Sequence, residues 1–149
     1  MSIEFSVVTD TATLAIFDLQ AIRHRMSDTF DWWSIQSDEI SEMNKGNIAF
    51  LNLGEDGRYQ VKIEENLSDP SGGIYLKMPS GRVFIGAGED TSGGGLEPDD
   101  SNAVQGEFIS LETGSHYMSY KVESGVICLA FSPSRKFSNE LTDSVRLTI

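Results

Sequence analysis

The sequence predicts an all-β or β-dominant fold: an antiparallel β-sandwich, jelly-roll-like in arrangement, with one or two short helices. After Gly46 the apolar residues recur with a period of two, the spacing of a strand that has one buried face. Short strand-like runs alternate with glycine-containing turns, as they do in β-sandwiches and barrels. The length of 149 residues suits one ordinary domain, so we expect a single domain over residues 1–149.

Two strands and a short helix are predicted at the start of the chain. Ile3–Val8 and Thr13–Phe17 are apolar-rich runs separated by a turn-like segment, and we expect each to be a strand. Asp18 follows as a helix N-cap, because its carboxylate can accept a hydrogen bond from an amide in the first helical turn. Apolar residues at helical spacing then predict a short helix that ends at about Met26.

A second short helix is predicted from Ser37 to Lys45. Asp38 and Glu39 occupy its first turn, where the helix dipole favours negative charge. Gly46 follows as a left-handed C-cap, because glycine adopts that conformation without steric cost.

Strand-like runs and turn signals fill the chain beyond this helix. The predicted strands lie within residues 47–53, 58–64, 74–78, 82–86, 106–111, 116–122, 126–131 and 144–149. Asp56–Gly57 is the strongest hairpin signal in the sequence.

Two parts of this β-rich region resemble each other. Residues 46–64 and 106–123 each read as a strand, a glycine turn and a tyrosine-bearing strand that ends in Lys-Ile-Glu or Lys-Val-Glu. Duplication and chance explain the likeness equally well. In either case the likeness predicts two similar β-hairpins.

The net charge argues against two classes of partner. The chain has 11 Lys+Arg and 23 Asp+Glu, which gives a charge of −12. A nucleic-acid-binding protein needs a basic surface, and an anionic membrane surface attracts basic rather than acidic segments. We therefore expect neither nucleic acid nor a membrane as partner.

The acidic residues concentrate in and around a Gly- and acid-rich loop at about residues 88–105. Between Val83 and Tyr120 there is no Lys or Arg. One interpretation is a solvated loop that favours solubility. The other is an acidic face that attracts a basic protein partner. The candidate contact residues of that face are Glu89, Asp90, Glu97, Asp99 and Asp100.

Trp32 and Trp33 form the only tryptophan pair of the sequence. Consecutive side chains of a strand point to opposite faces, so we expect one ring to be buried and the other exposed. A buried anchor of the core is one interpretation. An aromatic contact surface for a sugar or a protein is the other.

Signals for catalysis and metal binding are weak. His24 and His116 lie far apart without a neighbouring ligand pattern, whereas zinc needs three or four spaced ligands. The single cysteine, Cys128, lies in an apolar run, so we expect a buried and unreactive thiol. We expect no catalytic residue, no metal and no cofactor. A calcium site in the acidic loop and a pair of distant glycosidase carboxylates remain open as alternatives.

The sequence has no signal for membrane insertion or secretion. No apolar run approaches the roughly 20 residues of a membrane-spanning helix, and the first residues lack the basic start and apolar stretch of a signal peptide. A cytoplasmic location follows as the expectation, and the oligomeric state stays open.

Several motifs resemble those of a family of small acidic bacterial proteins of unknown function. The motifs are Thr9–Asp18, Asp31–Trp33, Gly46–Asn47, Asp56–Tyr59 and Ser80–Glu89. The resemblance extends to about Tyr120, and it implies no activity and no catalytic residues. The Asp-Gly-x-Tyr motif is also similar to hairpins of some immunity proteins of bacterial toxin systems.

From these observations we expect a non-enzymatic cytosolic binding protein, immunity-like in role, that presents an acidic face to a basic protein partner. One alternative is a small-molecule or carbohydrate-binding β-domain that uses Trp32 and Trp33. Another is a small hydrolase with an unrecognised carboxylate site.

Overall fold

The computed structural model describes residues 3–25, 35–88 and 106–148. It is 54% strand and 12% helical, which confirms the predicted β-dominant class. The described residues form the strands β1 (Ile3–Thr9), β2 (Thr13–Asp18), β3 (Ala49–Asn52), β4 (Gly57–Glu64), β5 (Gly72–Met78), β6 (Arg82–Ala87), β7 (Gly106–Ser110), β8 (Gly114–Glu123), β9 (Val126–Pro133) and β10 (Val145–Arg146). A 3₁₀ segment (Leu19–Arg25) and the helix α1 (Gln36–Asn44) lie between β2 and β3.

The strands form two five-stranded sheets that share one hydrophobic core. Sheet 1 has the order β1-β4-β9-β8-β5, and sheet 2 has the order β10-β3-β2-β6-β7. The pairs β4–β9 and β3–β10 are parallel. The prediction of an antiparallel sandwich is therefore wrong in this respect, because residue periodicity reports which face is buried and not the direction of the neighbouring strand. The strand order does not confirm the jelly-roll-like arrangement.

The turn at Asp56–Gly57 does not close a hairpin. It connects β3 in sheet 2 to β4 in sheet 1, so the chain passes from one sheet to the other at this point. The connection between β7 and β8 does the same. Both predicted hairpins are therefore wrong, because a glycine turn between two strands is common to hairpins and to crossings between sheets. The strands β4 and β8 of the two similar segments nevertheless flank β9 on its two sides, β4 parallel and β8 antiparallel to it.

Asp18 fixes the end of β2 through its fully buried carboxylate. Oδ1 accepts a hydrogen bond from the backbone N–H of Gln20 at 3.0 Å, which confirms the predicted N-cap. Oδ2 accepts from the N–H groups of Ser80 at 2.8 Å and Gly81 at 2.9 Å. One carboxylate thus satisfies amides of the 3₁₀ segment and of the turn that leads into β6.

The helix α1 ends as the sequence predicts, and two of its carboxylate side chains are buried. Gly46 has a φ of +75°, the left-handed conformation expected of a residue just beyond a helix. The helix begins at Gln36, one residue before the predicted Ser37. Its buried side chains are Glu39, Glu42 and Met43. The helix therefore buries two carboxylates and one apolar side chain.

The segment between β9 and β10, residues 134–144, is bound to α1 by amide side chains, and we call it the C-terminal strap. Asn44 Nδ2 donates to the carbonyl oxygen of Leu141 at 3.0 Å, and Asn44 Oδ1 accepts from the N–H of Leu141 at 2.7 Å. The backbone N–H of Asn139 donates to the carbonyl oxygen of Asn44 at 2.9 Å. These bonds bring the strap back towards sheet 2, where β10 pairs with β3.

Candidate partner-binding surfaces

The residues that the sequence indicates as contacts lie outside the described part of the chain. This applies to Glu89, Asp90, Glu97, Asp99 and Asp100 in the acidic loop, and to the pair Trp32 and Trp33. Their predicted roles therefore stay predictions.

Three exposed carboxylates lie on two neighbouring turns, and we call this region the acidic end. They are Asp10, Glu55 and Asp56. The two turns adjoin because the N–H of Leu53 donates to the carbonyl oxygen of Ala12 at 2.8 Å. Arg58 at the start of β4 and Arg146 opposite Asn52 are exposed at the same end and offset part of this charge. The three carboxylates therefore leave an excess of negative charge on the two adjoining turns.

The boundaries of the undescribed segment 89–105 lie at the same end. β2 begins at the acidic end, and its Leu14 pairs with Ala87 near the end of β6. Gly106, the first residue of β7, pairs with Gly86. The described chain therefore stops at Gly88 and resumes at Gly106 beside the acidic end.

Tyr59 supports the turn that carries two of these carboxylates. Its hydroxyl donates to the backbone carbonyl oxygen of Glu55. Burial raises the pKa of the Tyr59 phenol, and the negative charges of Glu55 and Asp56 raise it further. The hydroxyl therefore remains a neutral donor at neutral pH, when the neighbouring carboxylates are ionised.

Two Lys–Glu pairs flank Cys128 on the outer face of sheet 1. Lys62 Nζ lies 3.8 Å from Glu64 Oε1, and Lys121 Nζ lies 3.1 Å from Glu123 Oε2. Cys128 stands opposite Lys62 on one side and Lys121 on the other. The two similar sequence segments thus place the same Lys-x-Glu motif on both sides of β9. Such surface pairs contribute about 0–1 kcal/mol each, so they shape this face more than they stabilise it.

Cys128 is buried, as the sequence predicts, with 3% of its surface exposed. Burial raises the pKa of its thiol, the carboxylates of Glu64 and Glu123 raise it further, and Lys121 lowers it. The thiol is therefore protonated at neutral pH, and the protonated form is a poor nucleophile.

His116 is also buried and has a structural contact. Its Nε2 donates to the carbonyl oxygen of Glu112 at 2.8 Å, at the turn before β8. Within the described ranges, no group of three or more His, Cys, Asp or Glu side chains could hold a metal ion.

An apolar cavity lies at the end of the sheets opposite to the acidic end, beside the pair Ile3 and Ile63. We call this end the open end. The volume of the cavity is about 170 Å³. The lining residues are Ile3, Ile63, Glu64, Glu65, Leu111 and Phe131. They come from four separate segments of the chain, so no local sequence pattern indicated this cavity.

No helix in the described ranges has the length and the apolar character required to cross a membrane.

The fold and these surfaces describe a two-sheet, β-dominant protein without a recognisable catalytic centre among its described residues. Residues 1–147 match the model of a family of unknown function, DUF6386, and the chain belongs to that family. This confirms the resemblance to a family of unknown function, whereas the similarity to immunity proteins finds no support.

One solved structure has a similar fold. The protein described as "Crocagin biosynthetic gene J" superposes with a TM-score of 0.55 at 12% sequence identity. The match covers 90% of this chain and 96% of that chain. At this identity the likeness concerns the fold alone. No curated protein matches the sequence.

Proposed function

We propose that this chain is a non-enzymatic binding protein of the cytoplasm and that it binds a basic protein partner at its acidic end. The observation that carries the proposal is the position of Asp10, Glu55 and Asp56 on adjoining turns. The boundaries of the acidic segment 89–105 lie beside them. The charge of this end therefore has the same sign as the net charge of the whole chain, −12.

Electrostatics explains how such a surface would select its partner. A concentration of negative charge accelerates the encounter with a basic surface and disfavours acidic competitors. The exposed charges are screened by salt over about 8 Å at physiological ionic strength. Binding is therefore expected to weaken as the salt concentration rises, mainly through a slower association rate.

The described candidates for catalysis support a non-enzymatic role. Cys128 is buried with a raised thiol pKa, and His116 is buried against a backbone carbonyl. An immunity-like role, with a toxin as the basic partner, is one form of this proposal. The alternatives of carbohydrate binding through Trp32 and Trp33 and of hydrolysis stay predictions.

The test is a comparison of two charge-reversal variants that change the net charge equally. Glu55→Lys/Asp56→Lys alters the acidic end, and Glu112→Lys/Glu140→Lys alters exposed positions elsewhere. Proteins captured from the native lysate are identified by mass spectrometry, and the enriched basic protein is then purified. Its association rate is measured with each variant at low and at moderate salt.

We expect the acidic-end variant to associate at least about 10-fold more slowly, because steering by charge changes on-rates by this order or more. The control variant should retain most of the rate of the unmodified chain. Glu97→Lys/Asp99→Lys/Asp100→Lys tests the acidic segment in the same assay. If all three variants capture the same proteins at the same rates, the acidic residues serve solubility and the proposal is wrong.

A further inference from the structure

A polar pocket lies between the two sheets, beside the edge at which β10 pairs with β3. Its volume is about 310 Å³, at the lower limit of the roughly 300–1,000 Å³ of typical small-molecule sites. Sheet 1 contributes the end of β8 and the residue before β5, and sheet 2 contributes β10 and the two residues after it. The lining residues are Ser71, Tyr120, Val122, Arg146, Leu147 and Thr148. The pocket therefore has one wall from each sheet.

Backbone hydrogen bonds fix both walls of this pocket. The N–H of Ser71 donates to the carbonyl oxygen of Tyr120 at 2.8 Å, which joins the residue before β5 to β8. The N–H of Leu147 donates to the carbonyl oxygen of Asn52 at 2.8 Å, which continues the pairing of β10 with β3. Tyr120 and Val122 are alternate residues of β8, so their side chains share one face of the strand, and both pack against the core. The pocket is therefore a fixed part of the fold.

The polar side chains of the described lining are one guanidinium and three hydroxyls, without a carboxylate or an amide. Burial raises the pKa of the Tyr120 phenol, and Tyr117 raises it further. The Tyr120 hydroxyl therefore stays protonated at neutral pH and can donate a hydrogen bond. The hydroxyls of Ser71 and Thr148 can rotate to donate as well. Such a lining favours a ligand that accepts hydrogen bonds.

Arg146 gives the pocket a positive charge that no ion pair neutralises among the residues that the structure describes. Its charge lowers the pKa of Glu39, which burial raises more strongly. Glu39 does not line the pocket, and its Oε1 accepts the hydrogen bond from Ser144. A guanidinium presents a planar fork of N–H donors that matches the two oxygens of a carboxylate. The guanidinium of Arg146 is therefore available to an anion in the pocket.

The charge of the protein selects the kind of anion. Because the net charge is −12, long-range repulsion opposes every anion and is about twice as large for a dianion as for a monoanion. A phosphate monoester carries about −1.5 to −2 charges at neutral pH, whereas a single carboxylate carries one. Arg146 compensates one negative charge, and Val122 and Leu147 offer apolar surface to a carbon body. The lining therefore suits a carboxylate with a small apolar body.

We propose that this pocket binds a small organic carboxylate. The guanidinium of Arg146 donates to both carboxylate oxygens, and the hydroxyl of Tyr120 donates a further hydrogen bond. Val122 and Leu147 contact the carbon body of the ligand. None of the three carboxylates of the acidic end lines the pocket, so this proposal does not depend on the proposed function.

The test is an NMR titration of the isotope-labelled protein with benzoate and with benzamide, its uncharged counterpart of the same shape. We expect benzoate to shift the amide signals of Ser71, Leu147 and Thr148 in a saturable manner and benzamide to leave them in place. Inorganic phosphate should bind more weakly than benzoate. N-acetylvaline represents the C-terminal carboxylate of a peptide. Tighter binding of N-acetylvaline than of benzoate would identify a peptide as the source of the carboxylate, and the reverse order would identify a free acid.

Variants of the two principal donors test their roles. Arg146→Gln should raise the dissociation constant of benzoate at least about 10-fold, because charged bidentate hydrogen bonds are stronger than neutral ones. Tyr120→Phe should raise it about 3-fold or more, since it removes one neutral donor. Arg58→Gln is the matched control, because it removes an exposed arginine of the same end that does not line the pocket. Thermal unfolding of each variant establishes that it is folded.

Three results would overturn the proposal. The first is the absence of a saturable shift with benzoate, or the same shifts with benzamide. The second is a folded Arg146→Gln variant that binds benzoate as tightly as the unmodified protein, or no more weakly than Arg58→Gln does. The third is tighter binding of inorganic phosphate than of benzoate, which would assign the pocket to another class of anion.

Discussion

The side-chain amide of Asn139 pairs with both backbone polar groups of Tyr75. Asn139 Oδ1 accepts from the N–H of Tyr75, and Nδ2 donates to its carbonyl oxygen, both at 2.9 Å. Tyr75 lies in β5, an edge strand of sheet 1. One amide therefore takes the place of a neighbouring strand, which protects this position of the edge from pairing with another chain.

We expect Asn139→Ala to lower the free energy of unfolding by about 2–4 kcal/mol, because it removes both bonds to Tyr75 and a third, from Nδ2 to the carbonyl oxygen of Met43. The strap would lose these two hydrogen bonds to β5 and keep its contacts of Lys136 with Tyr75 and of Phe137 with Lys77. Urea unfolding measures the change. Asn66→Ala, at an exposed loop position, is the control and should stay within about 0.5 kcal/mol of the unmodified protein. Equal stability of the two variants would contradict this account.

Gly46 and Gly54 provide a test of close packing, since both have a positive φ, +75° and +84°. A Cβ atom at Gly46 would lie 1.7 Å from the carbonyl oxygen of Phe137, whereas a Cβ at Gly54 would meet nothing within 4 Å. Gly54→Ala should cost about 1–2 kcal/mol for the left-handed backbone alone.

Gly46→Ala should cost at least about 2 kcal/mol more than Gly54→Ala, because the strap must move away as well. Chemical denaturation of both variants gives the difference. A similar loss of stability in both would mean that the strap does not pack on Gly46 in solution.

The sequence predicts local structure well where a local physical cause exists. Asp18 caps the segment that follows it, and Gly46 ends α1, because both effects act within a few residues. The pairing of Asn139 with Tyr75 joins residues 64 positions apart and leaves no local pattern. The apolar cavity likewise has no local sequence signal, because its lining residues come from four separate segments of the chain. The periodicity of strands indicated buried faces correctly and gave no information on which strands pair.

Glu39 predicts a pH dependence of stability. Its carboxylate is buried on α1, where Ser144 Oγ donates to Oε1 at 2.6 Å. Burial raises the pKa of Glu39, the nearby Asp143 raises it too, and the bond from Ser144 and the charge of Arg146 lower it. Because the folded state holds this proton more tightly than the unfolded state, the stability that Glu39 contributes is lost as pH rises above about 4.3.

Glu39→Gln removes this titration and keeps an oxygen that can accept the bond from Ser144. We expect the variant to gain stability relative to the unmodified protein between about pH 4 and pH 7, and urea unfolding at three pH values measures the trend. Glu140→Gln, at an exposed position of the strap, should show no such trend. A relative stability of Glu39→Gln that falls with rising pH would show that its charge is favourable in the fold.

Cys128 should react slowly with thiol reagents in the native protein. Its side chain is 3% exposed, and the raised pKa reduces the fraction of reactive thiolate. Ser132 lies on the same outer face of β9, four residues further along, and is exposed. The variant Cys128→Ala/Ser132→Cys therefore moves the single thiol to an accessible position on one strand.

Labelling with a chromogenic disulfide at pH 8 should be at least about 100-fold slower for Cys128 than for the relocated thiol, since local opening must precede the reaction. In urea both thiols should react at similar rates, because the fold no longer shields either. The ratio of native rates thus measures how often β9 opens between β4 and β8. Native rates of similar size would mean that this central strand is exposed in solution, contrary to the two-sided pairing that holds it in sheet 1.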